Sequence, residues 1–291
     1  MMLDFIVNPI AGGKHGKKTR KTVAEIEKRL QTENIQYRIH FTRFKGHAKE
    51  ITSTLITNGA TDVIVVGGDG SLHEVVNGFH SFDKVNLGLI PCGTGNDFAS
   101  AVNIPKNVNK ALDIILKNQP KYTDFMQLPT VRGINVVGTG IDVDVLKRYE
   151  KLKKKNKFGY TMCLIKTLFN FEYTDFEAMV DGETKNFRSF IAAIANGNVF
   201  GGGIEICPGA VPHDNKLNFV AVTELKGLQI VKALLKLKRG KLLTLKQSTM
   251  KECSSIEIKT EKPCTVNVDG ELYEGIDFKV DVVSNTLKMY R

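Results

Sequence analysis

The 291-residue sequence contains few cysteines, and neither cysteine nor histidine occurs in a metal-binding pattern. The cysteines are odd in number, lie far apart and form no CxxC pair, which excludes a disulfide framework and a zinc site of the usual spacing. The histidines show no HExxH or comparable spacing. We therefore expect buried or incidental thiols at Cys92, Cys163, Cys207, Cys253 and Cys264.

Long hydrophobic runs are also missing from the sequence. A membrane-spanning helix needs about 20 apolar residues in succession, whereas Lys or Glu interrupts every candidate, including CLIKTLFNFEY at residues 163–173. The N-terminal MMLDFIVNP has Asp4 early, no basic residues before it and only a short apolar part, so it does not resemble a secretion signal. These absences predict a cytosolic protein.

Acidic residues are nearly absent from two stretches that carry most of the positive charge. The formal net charge is +10, while residues 147–157 carry +6 and residues 226–241 carry another +6. Localised basic charge favours an anionic partner such as a membrane surface or a nucleic acid, although a solvated face without a partner has the same composition. Aromatic residues are not interleaved with the lysines, as they are in proteins that bind single-stranded nucleic acids.

The order of predicted elements divides the chain near residue 125. Apolar strands alternate with amphipathic helices before that point, which predicts a parallel sheet with helices on both faces. Short strands with period-two alternation follow, with one main helix at residues 231–237, which predicts a mainly antiparallel β domain. The last two predicted strands are FKVDVVS at residues 278–284 and TLKMY at residues 286–290. The expected domains are residues 1–125, binding a nucleotide, and residues 126–291, with the last strand a candidate to pack back on the first domain.

A glycine-rich loop, GGDGS, follows the apolar strand DVIVV at residues 62–66. Leu72, Val75, Val76 and Phe79 then fall on one helical face, so we expect a helix that begins near Ser71. The loop lies at its N-terminus, where backbone N–H groups favour phosphate. Asp69 would repel phosphate unless Mg²⁺ lay between them. A tight turn in which Asp69 caps the helix explains the same residues.

Two further glycine loops follow other predicted strands. PCGTGNDFA at residues 91–99 repeats the pattern and adds Asn96 and Asp97, which could cap the next helix. NPIAGGKHGKKT at residues 8–19 narrowly fails the P-loop pattern, because Gly is missing at residue 11 and Ser or Thr at residue 18. In an open α/β sheet, ligands bind outside the carboxyl ends of the strands, where all three loops would lie.

Together, NPxAGG, GGDGS with a following helix that ends VNGF, and PCGTGNDFA resemble the catalytic domain of the diacylglycerol kinase family. That family also includes sphingosine and ceramide kinases and soluble bacterial lipid kinases. The resemblance extends to Thr42 with GHA at residues 46–48, to the segment from Gly201 to Asp214, and to VDGE at residues 268–271. GGDG alone is shared with NAD kinases and phosphofructokinases, so the specificity lies in the combination.

Two positions depart from the family pattern. Ser71 stands where the family usually has Thr, which keeps the hydroxyl group. DNKL at residues 214–217 replaces the commoner DGxL. This second change affects a structural Mg²⁺ site. The resemblance implies that the Asp214 side chain and the carbonyl groups of Val211 and Lys216 form that site.

The resemblance implies an NAD kinase/diacylglycerol kinase-like α/β domain and an ATP-dependent kinase that phosphorylates diacylglycerol to phosphatidate. It implies Glu271 as the general base, with Asp69, Asp97 and, in support, Asp124 organising Mg²⁺. The implied nucleotide contacts are Asn8, Pro9, Ile10, Ala11, Gly12, Thr42, Gly67, Gly68, Asp69, Gly70, Ser71, Leu72, His73, Glu74, Gly93, Thr94 and Asn96.

The VDGE motif also has an explanation from its residues alone. Asp269-Gly270 lies between two apolar, alternating segments and is a signal for a two-residue hairpin turn. The two interpretations are compatible, because a hairpin is a rigid way to present Glu271.

The resemblance further implies a lipid partner at a membrane surface, reached through residues 147–157 and 226–241. The expected protein is cytoplasmic and peripheral at the inner face of the membrane, binds no nucleic acid and is compatible with a homodimer. Kinases of a sphingoid base or polyprenol, an NAD-kinase-like enzyme, and a non-catalytic nucleotide or nucleic-acid binder remain alternatives.

Overall fold

The computed structural model describes the chain in two compact units. One unit comprises the described residues up to Asp124 together with Ser284–Arg291, and the other comprises Phe125–Val283. The described residues are 2–13, 16–152, 157–168, 171, 173–261, 264–275 and 278–291.

The first unit alternates strands and helices along the chain. The elements are β1 (Met2–Val7), α1 (Lys17–Thr32), β2 (Gln36–Phe41), α2 (His47–Thr57), β3 (Asp62–Gly67), α3 (Asp69–Val76), β4 (Asn86–Pro91), α4 (Asp97–Ala101), α5 (Val108–Lys117) and the start of β5 (Lys121–Gln127).

The strands of this unit form a parallel sheet in the order β2-β1-β3-β4. Every residue of β3 is buried, so both faces of the sheet are covered. Helix α1 packs with α5, and α2 packs with α3. Because the strands are parallel and in register at Val7, Phe41, Val66 and Ile90, the loops that follow them emerge at one edge.

The second unit is built mainly from antiparallel strands. Its elements are β6 (Arg132–Gly133), β7 (Val136–Gly140), α6 (Ile141–Glu150), α7 (Lys157–Leu168), β8 (Thr174–Val180), β9 (Glu183–Ala195), β10 (Val199–Phe200), β11 (Ile204–Glu205), β12 (Leu217–Thr223), α8 (Leu228–Lys238), a 3₁₀ helix (Leu242–Thr244), β13 (Ser248–Cys253), β14 (Ser255–Thr260), β15 (Thr265–Val268), β16 (Glu271–Glu274) and most of β17 (Phe278–Met289).

Strand β9 is central to this unit and pairs antiparallel with β7, β8 and β12. Its residues alternate between two cores, as a strand requires. Ala192 and Ile194 pack in one core, and Ile191, Ala193 and Ala195 pack in the other. The sheet is therefore buried on both sides at this point, and α6 and α8 contribute Val145 and Ala233 to the second core.

The predicted fold class is confirmed, with differences in individual elements. Helices α6 and α7 were not predicted, although Ile141, Val145 and Leu146 are buried on one face of α6. The two predicted C-terminal strands are one strand, β17, in which Asn285 has a positive φ of 53°. Helix α3 begins at Asp69, two residues before the predicted start.

Strand β17 runs from the second unit into the first. Its first residues pair antiparallel with β14, and Lys288 and Met289 pair parallel with β4. Among the helices that the structure describes, none combines the length and the apolar character required to cross a membrane.

Candidate functional site

The GGDGS and PCGTGNDFA loops pack directly against each other in the first unit. The carbonyl oxygen of Gly67 accepts hydrogen bonds from the N–H groups of Cys92 and Gly93, at 2.7 and 3.2 Å. A Cβ atom added to Gly93 would lie 2.5 Å from the Cα atom of Gly68, closer than real Cβ contacts. Glycine at residue 93 is therefore required by backbone packing.

Asp69 joins these two loops through its side chain. Its carboxylate accepts hydrogen bonds from the N–H groups of Asn96 at 2.8 Å and Phe98 at 3.2 Å. These donors lie at the start of α4, so Asp69 caps the neighbouring helix and not α3, to which it belongs. The alternative that Asp69 caps its own helix is wrong, since α3 has no side-chain cap.

Asp69 and Asp97 lie on either side of Gly95. A Cβ atom added to Gly95 would lie 2.9 Å from Asp69 Oδ2 and 3.5 Å from Asp97 Oδ2. Burial, followed by repulsion from Asp97, raises the pKa of Asp69 to about 6, although backbone N–H donors oppose the shift. Two carboxylates that repel each other at a loop edge suit a bound cation.

Two carboxylates are a donor set that Mg²⁺ can use. No group of three or more His, Cys, Asp or Glu side chains arranged to hold a metal ion occurs within the described parts of the chain. Magnesium is usually held by one or two carboxylates, with waters and substrate phosphates completing an octahedron. Asp69 and Asp97 could supply the protein's share of such a site.

The loop after β1 rests on the other two glycine loops. Asn8 Nδ2 donates to Ser71 Oγ at 3.3 Å, and Asn8 Oδ1 accepts from Ile10 N at 3.1 Å. Gly12 has a φ of 73°, and a Cβ atom there would lie 2.6 Å from the carbonyl oxygen of Cys92. Pro9 and Ala11 complete this turn, so the structure brings the predicted residues 8–12 to the edge where GGDGS lies.

Glu74 has a structural role that the sequence did not reveal. Its two carboxylate oxygens accept from Gly46 N at 2.8 Å and from Ala48 N at 3.1 Å. Glu74 thereby caps α2 and fixes the segment that follows Thr42, whose own N–H donates to the carbonyl of Val7. The GHA motif is held in place by α3.

Leu72 and His73 were predicted as nucleotide contacts, but their side chains are 1% and 3% exposed. Because α3 turns this face toward the core, a nucleotide contact at these two residues would use their backbone, and that contact stays a prediction. Ser71 is also mostly buried and receives the Asn8 hydrogen bond. Gly70, which follows Asp69 in the first turn, is exposed.

Asn96 holds the second loop closed. It has a positive φ of 57°, which Asn tolerates better than most residues. Its side chain accepts from Gly93 N at 2.8 Å and donates to Gly93 O at 2.9 Å. Thr94, between them, is exposed and can present its hydroxyl and backbone to a ligand.

Asp124 is buried, and its negative charge interacts favourably with the guanidinium group of Arg291, the C-terminal residue. Arg291 also donates to Thr123 Oγ1 at 3.0 Å. This electrostatic interaction of Asp124 involves the C-terminal residue, and a role of Asp124 at the Asp69 and Asp97 pair stays a prediction.

In the second unit, Asp269 and Gly270 form the two-residue turn between β15 and β16, with φ values of 53° and 96°. Both values are positive, as a type I′ turn requires. The Asp269 carboxylate accepts from the N–H groups of Ile134, Asn135 and Val136 at 2.8 to 3.1 Å. This anchored turn places the half-buried Glu271 at the start of β16.

The loop predicted to bind a structural metal is closed by its own hydrogen bonds. Asp214 Oδ1 accepts from Lys216 N at 3.0 Å, and the carbonyl of Val211 accepts from His213 N at 2.7 Å. Asn215 has a φ of 64°, so it takes the left-handed conformation for which glycine is the usual residue. The magnesium site at this loop stays a prediction.

Asp142 was missed by the sequence interpretation, although it follows the glycines of GTGID. It is buried at the start of α6, and burial is the main cause that raises its pKa to about 6. Its Oδ1 atom has no hydrogen-bond partner among the described residues. A buried carboxylate oxygen left in this state is costly unless a ligand or water uses it.

Asp142 lines a cavity of about 20 Å³ whose other described lining residues are all apolar. They include Leu164, Phe190, Phe200, Ile206, Ala233 and Leu237. A cavity of this volume has room for about one water-sized molecule.

The chain matches two family models in succession. The model described as "Diacylglycerol kinase catalytic domain" matches residues 2–128, and "YegS C-terminal NAD kinase beta sandwich-like domain" matches residues 135–291. A relative from Xanthomonas oryzae pv. oryzae (strain MAFF 311018), named "Probable lipid kinase YegS-like", is 30% identical over 285 residues, covering 93% of this chain and 90% of the relative.

Solved structures share the fold. One described as "a putative diacylglycerol kinase from Bacillus anthracis str. Sterne" has a TM-score of 0.79 and 23% identity, and covers 99% of this chain and 96% of its own. An NAD kinase from Archaeoglobus fulgidus, in complex with ATP, has a TM-score of 0.54 and 12% identity, over 100% and 94%. Since the family models follow one another along nearly the whole chain, this protein belongs to the diacylglycerol kinase catalytic-domain family, in the group that carries a YegS C-terminal domain.

Proposed function

We propose that this protein is an ATP-dependent lipid kinase that transfers the γ-phosphoryl group of ATP to the hydroxyl of diacylglycerol, giving phosphatidate and ADP. The observation that carries the proposal is the pair of carboxylates, Asp69 and Asp97, held at two interlocked glycine loops in a chain of this family. Phosphoryl transfer depends mainly on positioning and on neutralising charge, and these loops support both.

The phosphates of ATP are proposed to lie against the loop backbone. Helix α3 begins directly after Gly68, and Gly70 in its first turn is exposed. The first turn of α3 offers N–H groups and the positive end of the helix dipole. Thr42 and Thr94 are proposed to add hydroxyl groups at the same edge of the sheet.

Asp69 and Asp97 are proposed to hold Mg²⁺, directly or through water. When bound, the ion would neutralise the charge of the β- and γ-phosphates. Occupation by a cation would also remove the mutual repulsion that raises the pKa of Asp69. Helix capping explains the position of Asp69 but not that of Asp97, whereas a shared cation explains both carboxylates.

Glu271 is proposed as the general base. It takes the proton of the lipid hydroxyl while that oxygen attacks the γ-phosphorus, and the bond from the γ-phosphorus to the β,γ-bridging oxygen breaks, with its electron pair leaving on ADP. The anchored turn at Asp269-Gly270 supports this role, because it fixes the backbone from which Glu271 extends.

A lipid alcohol, and not NAD, is proposed as the acceptor, because relatives that match nearly the whole chain are named lipid kinases. Diacylglycerol is the member of that class implied by the family resemblance.

The basic stretches are proposed to dock the protein on the anionic inner face of a membrane. A groove between α6 and α7 is lined by Lys147, Arg148, Lys151 and Lys166 together with Leu152 and Met162. On α8, Val231 and Leu235 are about half exposed beside lysines of the second stretch. Residues 153–156 of the first stretch lie outside the described residues. Apolar and basic side chains side by side suit an interfacial surface.

The test is ADP release from Mg-ATP with mixed micelles that carry diacylglycerol, a sphingoid base or a polyprenol, and with NAD as a soluble acceptor. We expect turnover that depends on diacylglycerol and is lost in Glu271→Gln. Glu274→Gln, which changes an exposed glutamate on the same strand, is the matched control and should keep turnover.

Each other outcome changes a defined part of the proposal. Turnover only with another lipid would identify that lipid as the acceptor in place of diacylglycerol. Turnover only with NAD would support the NAD-kinase-like alternative. Full activity in Glu271→Gln removes the proposed base. No turnover with any acceptor contradicts the kinase proposal and supports a non-catalytic nucleotide binder.

A further inference from the structure

Asn267 occupies a buried position between two groups of the second unit. It lies on β15, opposite Gly138 of β7. Its Nδ2 atom donates to Asp142 Oδ2 at 3.0 Å, and its Oδ1 atom accepts from Gly270 N at 2.9 Å. One side chain therefore connects the acid at the cavity wall to the residue that precedes Glu271.

The orientation of the Asn267 amide is determined by its partners. The N–H of Gly270 can only donate, so the oxygen of the Asn267 side chain must face it. The amino group is then left for Asp142, whose carboxylate accepts it. A flipped amide would lose both hydrogen bonds, so this connection has only one arrangement.

The backbone around Asp142 is shaped to allow this contact. A Cβ atom added to Gly138 would lie 2.9 Å from Asp142 Oδ2, the same oxygen that Asn267 contacts. The absence of a side chain at residue 138 therefore leaves room for the carboxylate beside β15. Asp142 accepts the hydrogen bond from Asn267 at Oδ2, while its Oδ1 atom has no hydrogen-bond partner among the described residues. The Asp142 side chain lies in the wall of the cavity.

We propose that Asn267 is a positioning residue that ties the placement of Glu271 to the buried Asp142 carboxylate. Asp142 holds the amino group of Asn267, the oxygen of the Asn267 side chain holds the N–H of Gly270, and Glu271 is the next residue. The kinetic consequence rests on the proposed function, whereas the hydrogen-bond coupling itself does not.

The first experiment measures hydrogen exchange of the Gly270 amide by NMR in the ligand-free protein. In Asp142→Ala, Asn267 loses its anchor, and we expect Gly270 to exchange about tenfold faster. Asp142→Asn keeps an amide oxygen that can accept from Asn267, so exchange should return close to the wild-type rate. Asn218→Ala removes another buried asparagine of this unit and should leave Gly270 unchanged.

Unchanged Gly270 exchange in Asp142→Ala overturns the coupling. So does an equal increase at Val266 and Leu272, because that pattern reports general loosening of the hairpin. The comparison with Asp142→Asn separates loss of the hydrogen bond from loss of the charge.

The second experiment measures turnover with the lipid acceptor that the wild type uses. In Asn267→Ala we expect kcat to fall about tenfold, while the KM for ATP stays within about twofold, since only the base is displaced. A wild-type kcat contradicts the positioning role, as does an equal loss in Asn218→Ala. Should the wild type turn over no acceptor, the proposed function fails, and the exchange experiment still decides the coupling.

Discussion

At the scale of single residues, the polar side chains around the glycine loops hold backbone groups in place. Asp69 caps α4, Asn96 closes its own loop on Gly93, and Glu74 caps α2. A ligand is not needed to explain these contacts. The residue-scale signal that points to a ligand is the placement of Asp97 beside Asp69, because two nearby carboxylates raise the free energy of the ionised state.

Replacing Asp97 by Asn should lower the pKa of Asp69 from about 6 toward its ordinary value of 3.8, because the repulsion disappears while burial remains. A ¹³C NMR titration of the Asp69 carboxyl group measures the change. Asp83→Asn, which alters an exposed aspartate of the same unit, is the matched control. An unchanged pKa in Asp97→Asn would mean that burial alone causes the shift.

The same substitution should change how stability depends on pH. The folded pKa of Asp69 lies above the unfolded one, so its contribution to stability is complete below about pH 4 and is lost as the pH rises through about 6. Urea unfolding should show a smaller loss of unfolding free energy between about pH 4 and about pH 7 in Asp97→Asn than in wild type. An equal loss in both proteins would contradict the electrostatic contribution of Asp97.

At the scale of elements, the connections β3–α3 and β4–α4 fit together only because their backbones approach each other closely. Gly93→Ala should lower the free energy of unfolding by about 1–3 kcal/mol, since the new Cβ atom overlaps the Gly68 backbone. Gly209→Ala is the matched control, because a Cβ atom there meets no described atom within 4 Å. Urea unfolding at neutral pH compares them, and equal stabilities would contradict close packing of the loops.

The elements also show what local patterns can predict. The strands and helices of the first unit follow apolar periodicity and glycine position, and Asp269-Gly270 identified its hairpin turn because positive φ values restrict the residues that fit. Helix α6 was missed, since its last four residues lie in the charged stretch at residues 147–157. Helix α7 was also missed, although it shares only Lys157 with that stretch. The sequence interpretation divided β17 into two strands at Asn285, because asparagine is common in turns. The strand nevertheless continues through this residue.

At the scale of the whole molecule, positive charge is concentrated in two stretches that both belong to the second unit. Lys151→Glu with Lys166→Glu should weaken binding to vesicles with anionic lipid by roughly tenfold or more per lysine, because each basic residue near such a surface contributes about 1 kcal/mol and the new acid adds repulsion. Co-sedimentation with vesicles measures the change.

Salt and a matched variant complete that experiment. Raising the salt concentration should release the wild type, since the interaction is screened. Lys28→Glu, a change at an exposed lysine of α1 outside both stretches, should leave binding nearly unchanged. Equal weakening by Lys28→Glu would show that net charge, and not the groove between α6 and α7, controls binding.

The sequence by itself determined the alternation of elements, the three glycine loops and the family, because periodicity and turn chemistry act over a few neighbouring residues. Only the tertiary structure decided which groups the side chains of Asp69 and Asn267 contact. Asp69 contacts Asn96, 27 residues away, and Asn267 contacts Asp142, 125 residues away. Hydrogen bonds over such separations depend on which strands become neighbours, and the burial that raises the pKa values of Asp69 and Asp142 exists only after the chain has folded.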